Sequence, residues 1–364
     1  MKYFIFFAYL FSSIIFSNLV NNLPDGQHKN ESTLAILQTM KTNKFLTGKV
    51  KLFNISKQKI SAKINLNKIS GWNNRLGVYS SFSNSYYFFD GKSHQLIKVK
   101  ASGKQQPMYF NLKPFPGNMV KQCTKEGYLI IYHSLKKQQG FSITLFDTKT
   151  DQISKEDIFF NSNQPFTLSS YNPNNNICIF SANTELKEPS HSLYKFNLSS
   201  FEFEQIYTTK AYFLFSRILC HKNVTVGSVN KVWLRSDSTG KWIKNQNEPT
   251  VIWLDNTTNK VINKVKINRG KRLNIGHLFY YKNKLHALVN AADNQKNKGD
   301  IKSWVYVFNP KKNKFKKIRN KAFYNFYWNE IIQQNNKLVL INYQGLNLKM
   351  RIINLDEYKI DFEY

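Results

Sequence analysis

Side chains that could carry acid–base, nucleophilic or metal chemistry are few in this sequence and widely spaced. The 364 residues include 22 Asp and Glu and seven His, and the histidines are scattered along the chain. The motifs H-E-x-x-H, G-x-S-x-G and G-x-G-x-x-G are absent, as are a P-loop and any paired-cysteine spacing. The sequence therefore predicts no cofactor and no metal site, identifies no catalytic residue, and favours a protein that is not an enzyme.

An enzyme would most readily use two carboxylates held at one site, as glycosidases do. The acids that could supply such a pair are Asp237, Glu248, Asp293 and Glu330. Nothing in their sequence context selects two of them. Many of the other acids lie in polar turns, where bonds to the local backbone account for them.

Three cysteines, Cys123, Cys178 and Cys220, lack the spacing of a metal site. We expect three buried free thiols, because a repeated fold should bury an adequate core without cross-links. One disulfide with an odd thiol left over is the alternative.

Basic residues are the stronger functional signal. The formal charge is +31, and such an excess favours polyanionic partners. Between 296 and 321 the only acid is Asp300, and six basic residues there follow one turn: Lys311, Lys312, Lys314, Lys316, Lys317 and Arg319. We predict that these six form an anion-binding patch. The alternatives are that lysine protects an exposed strand edge against aggregation, and that A/T-rich codons inflate the overall Lys content.

The element that must position this cluster is a strand–turn–strand module, clearest in SWVYVFNPKKNKFKKI at 303–318. It recurs about every 50 residues, and its copies are marked by a turn residue: Asn54, Asp90, Asp147, Asn197, Asp255, Asn309 and Asn354. Two further strand-like segments precede most copies. The sequence therefore predicts an all-β protein, a β-propeller of seven four-stranded blades.

The first unit is the weakest, because segments 33–40 and 44–46 must serve as its inner strands. Six blades with an added N-terminal hairpin are the alternative arrangement.

The module in SWVYVFNPKKNKFKKI and SLYKFNLSSFEFEQI resembles the outer half of kelch-type repeats. The kelch glycine doublet after the second strand is missing, and Phe315, Phe203 or Ile60 replaces the fourth-strand tryptophan. The resemblance implies a propeller that mainly binds partners, with oxidase activity in a minority of such proteins.

The N-terminal segment MKYFIFFAYLFSSIIFSNLV has one lysine before an apolar run of signal-peptide length. We predict a signal peptide at 1–22, with an uncleaved anchor as the alternative, and a single β-propeller domain at 23–364. No later segment has the length of a membrane span. The expected location is secreted, periplasmic or at the cell surface, and the expected state is a monomer.

Together these features predict an exported, non-catalytic binding module. Its partner would be a protein or an anionic polymer such as a glycan or lipopolysaccharide, and nucleic acid stays open. Contact would be made by the basic face or by loops at the channel mouth, at 183–191, 235–249 and 291–302. The alternative function is a carbohydrate-active or oxidising enzyme with its site at that mouth.

Overall fold

The computed structural model describes sixteen portions of the chain. These are residues 33–41, 46–66, 69, 76–90, 93–113, 119–134, 140–161, 166–183, 190–210, 213–231, 249–267, 273–291, 303–318, 320–323, 330–344 and 347–364. The predicted signal peptide lies outside them. None of the helical segments within these portions has the length and hydropathy of a membrane span.

Seven antiparallel sheets follow one another along the chain, and each is built from consecutive strands. They are arranged as the blades of a β-propeller, which confirms the predicted fold class and the choice of seven blades over six. By their internal contacts, the first three blades belong to one compact unit and the last four to another, except that the segment Tyr343–Leu348 of blade seven is grouped with the first three.

The first unit holds blades one to three. Blade one contains β1 (Thr33–Lys41), β2 (Leu46–Asn54) and β3 (Lys59–Leu66). Blade two contains β4 (Val78–Ser80), β5 (Ser85–Asp90), β6 (Gln95–Lys100) and β7 (Met108–Asn111). Blade three contains β8 (Met119–Cys123), β9 (Tyr128–Ser134), β10 (Gly140–Asp147) and β11 (Gln152–Asn161).

Within its described residues blade one has three strands. Leu46, the last residue of an expected inner strand, and the expected outer strand that follows it belong to one continuous strand, β2, while residues 44 and 45 lie outside the described residues.

The second unit holds blades four to seven. Blade four contains β12 (Phe166–Asn172), β13 (Ile177–Asn183), β14 (His191–Asn197) and β15 (Phe203–Thr208). Blade five contains β16 (Phe213–His221), β17 (Val224–Lys231), β18 (Thr250–Asp255) and β19 (Val261–Lys266). Blade six contains β20 (Leu273–Tyr281), β21 (Lys284–Ala291), β22 (Ser303–Asn309) and β23 (Lys314–Ile318). Blade seven contains β24 (Glu330–Gln334), β25 (Lys337–Gln344), β26 (Asn347–Asn354) and β27 (Lys359–Glu363). Two 3₁₀ turns, Pro310–Lys312 and Lys321–Phe323, follow β22 and β23.

Burial differs between the middle and the outer strands of a blade. Strand β5, with sequence SYYFFD, is buried at every position, whereas the outermost strand of blade six, KFKKI, buries none of its residues fully. In blade six this accounts for the pairing of an apolar strand, SWVYVFN, with a lysine-rich one, KFKKI. The apolar strand packs between neighbouring blades, and the other is a sheet edge.

The core consists of apolar layers between neighbouring blades of the same unit. Val251 and Val265 of blade five pack with Leu285 and Tyr306 of blade six in one such layer. Leu288 of blade six packs in another layer with residues of blade seven. The positions of the outer turns therefore follow from which strands enter these layers.

In six of the seven repeats the marker residue shapes the turn between the last two strands of its blade. In blade two the marker Asp90 lies instead between the two middle strands, β5 and β6, where its Oδ2 accepts the Ser93 hydroxyl. In the other six blades the side-chain oxygen of the marker accepts a backbone N–H two or three residues ahead, as in Asn54 with Lys57, Asp147 with Lys149, Asn197 with Ser199, Asp255 with Thr257, Asn309 with Lys312 and Asn354 with Asp356, at 2.7 to 3.2 Å. These are the local turn bonds that the sequence predicts for Asn and Asp at such positions.

The residue after the marker then joins this turn to the first turn of the same blade. Its backbone N–H donates to a carbonyl there in four blades, as Thr148 to Gly127, Leu198 to Asn176, Asn256 to Asn223 and Leu355 to Asn336, at 2.8 to 3.2 Å. Both turns thus lie at the same end of the blade, because alternate strand connections of an antiparallel sheet share one end.

Candidate functional site

A groove of about 630 Å³ lies between blades six and seven, and we name it the basic groove. Its lining combines four lysines, one aspartate, a histidine and two tyrosines with apolar side chains: Tyr281, Lys282, Lys284, His286, Val307, Lys316, Lys317, Ile318, Leu355, Asp356 and Tyr358. Both blades belong to the same compact unit.

Turns and strand ends bring these side chains together. The turn between β20 and β21 carries Lys282, where a positive φ of 48° is followed by 58° at Asn283. The last turn of blade seven carries Asp356 and Tyr358, with a φ of 54° at Tyr358. Two tight turns from different blades, together with the edge strand β23, therefore form the walls.

Asp356 is the acidic centre of the basic groove. Its Oδ1 accepts the Tyr281 hydroxyl and lies 2.5 Å from Lys282 Nζ, and its Oδ2 accepts the Asn336 amide at 3.0 Å. These bonds, with that from Lys282 the largest, hold the pKa of Asp356 below its usual range. The same contact raises the pKa of Lys282, so the charge of this lysine is already matched.

Two of the other three lysines of the groove have no carboxylate partner among the described residues. Lys284 and Lys316 are exposed, and their ammonium groups form no hydrogen bond or ion pair within the described part of the chain. Lys317 differs, because its ammonium lies 3.9 Å above the ring of Trp304. The groove therefore presents the ammonium groups of Lys284 and Lys316 to an anion, whereas an aromatic ring already holds that of Lys317.

A histidine–tyrosine pair forms part of the wall. His286 is 2% exposed, and burial lowers its pKa to about 4. Its Nδ1 lies 2.8 Å from the Lys284 carbonyl and must donate there, so Nε2 accepts the Tyr358 hydroxyl at 2.9 Å. Both ring nitrogens are thus satisfied, and this neutral histidine has a structural role.

The structure separates the six residues of the predicted anion patch. Lys311 and Lys312 lie in the 3₁₀ turn Pro310–Lys312, which Asn309 caps. Lys314, Lys316 and Lys317 lie on β23, and Arg319 is outside the described residues. All five described lysines are exposed. Only Lys316 and Lys317 among them line the basic groove.

Lys316 and Lys317 point to opposite faces of β23, so only Lys317 reaches the ring of Trp304. Lys316 lies opposite Val307, which packs on the core layer shared with blade seven, whereas Lys317 lies opposite Tyr306 in the layer shared with blade five. Alternate residues of a strand point to opposite faces. β23 is also the outer edge of its sheet, so the edge-protection role of these lysines stays open.

Sequence reasoning missed the residues that complete the basic groove: Lys282, Lys284, Asp356, Tyr281 and Tyr358. A signal did exist, since the first turn of one blade and the last turn of the next lie at the same end of successive blades. Placing the repeats side by side would have brought them together.

The acids proposed for an enzyme are largely outside the described residues. Asp237, Glu248 and Asp293 lie there, as does most of each predicted channel-mouth loop, and Glu330 begins β24. Within the described residues no group of three or more His, Cys, Asp or Glu could hold a metal ion.

The cysteines follow the expectation where the structure describes them. Cys178 and Cys220 are buried free thiols, and burial raises the pKa of Cys220 to about 11. The side chain of Cys123 is outside the described residues.

Comparison with solved structures shows what the chain is similar to. The β-propeller domain of the Trilobed protease from Pyrococcus furiosus has a TM-score of 0.53 at 10% identity, covering 92% of this chain and 91% of that one. A putative 6-phosphogluconolactonase from Bacteroides uniformis has a TM-score of 0.53 at 10% identity, covering 91% and 95%. An oligogalacturonate lyase from Vibrio parahaemolyticus has a TM-score of 0.52 at 9% identity, covering 90% and 84%.

Identities this low show the fold alone, and the chain is a β-propeller. No family model matches its sequence, and no curated protein matches it. The resemblance to kelch repeats is therefore not confirmed at the level of the family.

Proposed function

We propose that this propeller is an exported, non-catalytic binding module that uses a basic face of blade six to bind an anionic polymer. The observation that carries the proposal is the set of exposed lysines on and beside the basic groove whose charges no described residue neutralises: Lys284, Lys311, Lys312, Lys314 and Lys316. An anionic polymer would supply the missing counter-charges.

The chemistry of the groove favours an acidic polysaccharide. Lysines meet carboxylate or sulfate groups as point charges, and the rings of Tyr281 and Tyr358 offer flat apolar surface beside them. Residues Tyr281 and Asp356 already bond each other, so the wall is ordered before a ligand arrives. The resemblance to kelch-type repeats is in keeping with a partner-binding role.

Heparin affinity chromatography tests the proposal. The unaltered chain should be retained and should elute earlier as the salt concentration rises, because binding releases counterions. Replacing Lys311, Lys312, Lys316 and Lys317 together with Ala should lower the salt concentration needed for elution and flatten the salt dependence.

A matched control removes the same charge elsewhere. Lys57, Lys59, Lys63 and Lys104 are exposed lysines of the other compact unit, and their replacement by Ala should leave elution close to that of the unaltered chain. Equal losses in both variants would show a non-specific effect of net charge. Absence of retention, or retention that is independent of salt, would reject the proposal outright.

A second comparison separates the basic groove from the 3₁₀ turn. The double variant Lys284→Ala/Lys316→Ala removes two lysines that line the groove, and Lys311→Ala/Lys312→Ala removes two that do not. A larger loss in the first pair locates the ligand in the groove. A larger loss in the second moves the contact to the turn.

A further inference from the structure

Three basic side chains are almost fully buried in the described part of the chain: Lys98, Arg217 and Arg351, with exposures of 5%, 8% and 7%. Two of them have a carboxylate partner. Lys98 Nζ lies 2.5 Å from Asp151, and Arg351 donates to Glu363 Oε1 through Nε at 3.0 Å and Nη2 at 2.5 Å. Arg217 contacts no carboxylate among the described residues.

The hydrogen bonds of Arg217 use only part of its guanidinium. Nε donates to the Gly276 carbonyl at 2.5 Å, and Nη1 donates to the Ser216 carbonyl at 2.5 Å. A guanidinium has five N–H donors, so the two on Nη2 and one on Nη1 have no partner within the described chain. A cation is costly to bury without a counter-charge, and burial lowers the pKa of Arg217 to about 10.

Arg217 lies at an irregularity that recurs on the first strands of blades three to six. It lies on β16, the first strand of blade five, at an irregularity in the pairing with β17 between Phe215 and Arg217. The neighbouring β20 has the matching irregularity between Ile275 and His277. The two carbonyl groups that accept hydrogen bonds from Arg217 belong to Ser216 and Gly276. These are the residues that have no pairing partner at the two irregularities. Bulges of this kind re-aim side chains next to functional sites.

A second buried polar atom without a partner lies on the same strand pair. His277 is 2% exposed, and its Nδ1 has no hydrogen-bond partner. Burial, together with the charge of Arg217, lowers the pKa of His277 to about 3. The imidazole is therefore neutral and cannot offset or add to the charge of Arg217, while it keeps the capacity for one more hydrogen bond.

We propose that Arg217 and His277 form a binding site for the carboxylate group of a small organic acid, on the first strands of blades five and six. One positive charge with parallel N–H groups on Nη1 and Nη2 matches a single carboxylate, which accepts two bonds side by side. The ligand would supply Arg217 with a carboxylate, as Asp151 does for Lys98 and Glu363 does for Arg351. This site is independent of the basic face proposed above.

The test uses formate and acetate as probes, with sodium chloride at equal ionic strength as the reference. The melting temperature of the unaltered chain should rise with either carboxylate and reach a plateau, because binding to the folded state alone stabilises it. No rise, or the same rise in chloride, would overturn the proposal.

Two matched arginine variants locate the effect. Arg217→Met should abolish the rise, whereas Arg351→Met removes an arginine that already has its carboxylate and should keep the rise from a lower starting temperature. In calorimetric titration, loss of the charged bonds in Arg217→Met should weaken acetate binding by about tenfold or more. A rise that survives in Arg217→Met would exclude the site.

A spectroscopic readout covers the case in which Arg217→Met does not fold. The Nε–H signal of Arg217, assigned by its loss in Arg217→Lys, should shift on titration with acetate in the unaltered chain. An unchanged signal at saturating acetate would contradict the proposal. Retention of Arg217→Lys on heparin should match that of the unaltered chain, which keeps this outcome distinct from failure of the basic face.

Discussion

Four histidines in the described residues are buried between strands, and all are held in the neutral form. Burial lowers the pKa to about 4 in His133 and His286 and to about 3 in His191 and His277. The unfolded chain should bind protons at these histidines near pH 6.5. Because the folded chain does not, their stabilising effect is complete above about pH 6.5 and is lost as pH falls toward 4 and 3.

His191 offers the sharpest test of this effect. Its Nδ1 accepts the Phe215 backbone N–H at 2.9 Å, and protonation would end that bond. In His191→Asn, the side-chain oxygen can take the same bond without titrating. The free energy of unfolding of the variant should therefore fall less steeply below pH 6.5, by up to about 1.4 kcal/mol per pH unit.

Denaturant unfolding at pH 7, 6, 5 and 4 measures this difference. His221→Asn is the control, because it makes the same substitution at a histidine that is only partly buried. Equal slopes for His191→Asn and the unaltered chain would show that His191 is not responsible.

At the scale of the element, the last turn of a blade is organised by one side chain in every blade except blade two. Asn197 Oδ1 accepts the N–H groups of Ser199 at 2.8 Å and Ser200 at 3.3 Å. The turn then places Leu198, whose N–H bonds the carbonyl of Asn176 in the first turn of the blade. The marker residue thus joins two turns that are distant in sequence.

Replacing Asn197 with Ala should lower the free energy of unfolding by about 1–2 kcal/mol, because two turn hydrogen bonds are lost. Asn197→Asp keeps the accepting oxygen and should lose much less. Urea unfolding of the two variants and the unaltered chain measures the effect. A loss in Asp as large as that in Ala would mean that the accepting oxygen does not stabilise the turn.

At the scale of the whole molecule, the net charge of +31 opposes compaction at low ionic strength. Added salt screens repulsion between exposed lysines beyond about 10 Å. The melting temperature should therefore rise between low and moderate sodium chloride, by about 2 °C for each kcal/mol of repulsion relieved.

Scanning calorimetry over a series of chloride concentrations checks this prediction. The variant that lacks Lys57, Lys59, Lys63 and Lys104 carries four fewer positive charges and should respond less. A melting temperature that falls with salt would indicate that attractive ion pairs, rather than repulsion, dominate the surface.

The repeat architecture could be derived from the amino-acid sequence because its determinants are local. Alternation, turn residues and the spacing of the markers lie within about 50 residues of chain, and each marker bonds its own turn as its residue type requires. The lysines after Asn309 were likewise visible as a cluster. Two blades depart in detail. In blade one a single long strand replaces two short ones, and in blade two the module at Asp90 forms the two middle strands rather than the outer pair.

The tertiary structure alone decided which of these residues act together. Lys316 faces Lys282 and Asp356 across the basic groove, and Arg217 meets Gly276 across two blades. These arrangements bring together positions 34 to 59 residues apart. They depend on strand register, in which one residue of slip reverses the face of every side chain. The sequence determined that lysines would be exposed on blade six. Packing between the blades decided which basic side chains have a carboxylate partner. Among the described residues it leaves the buried Arg217 without one.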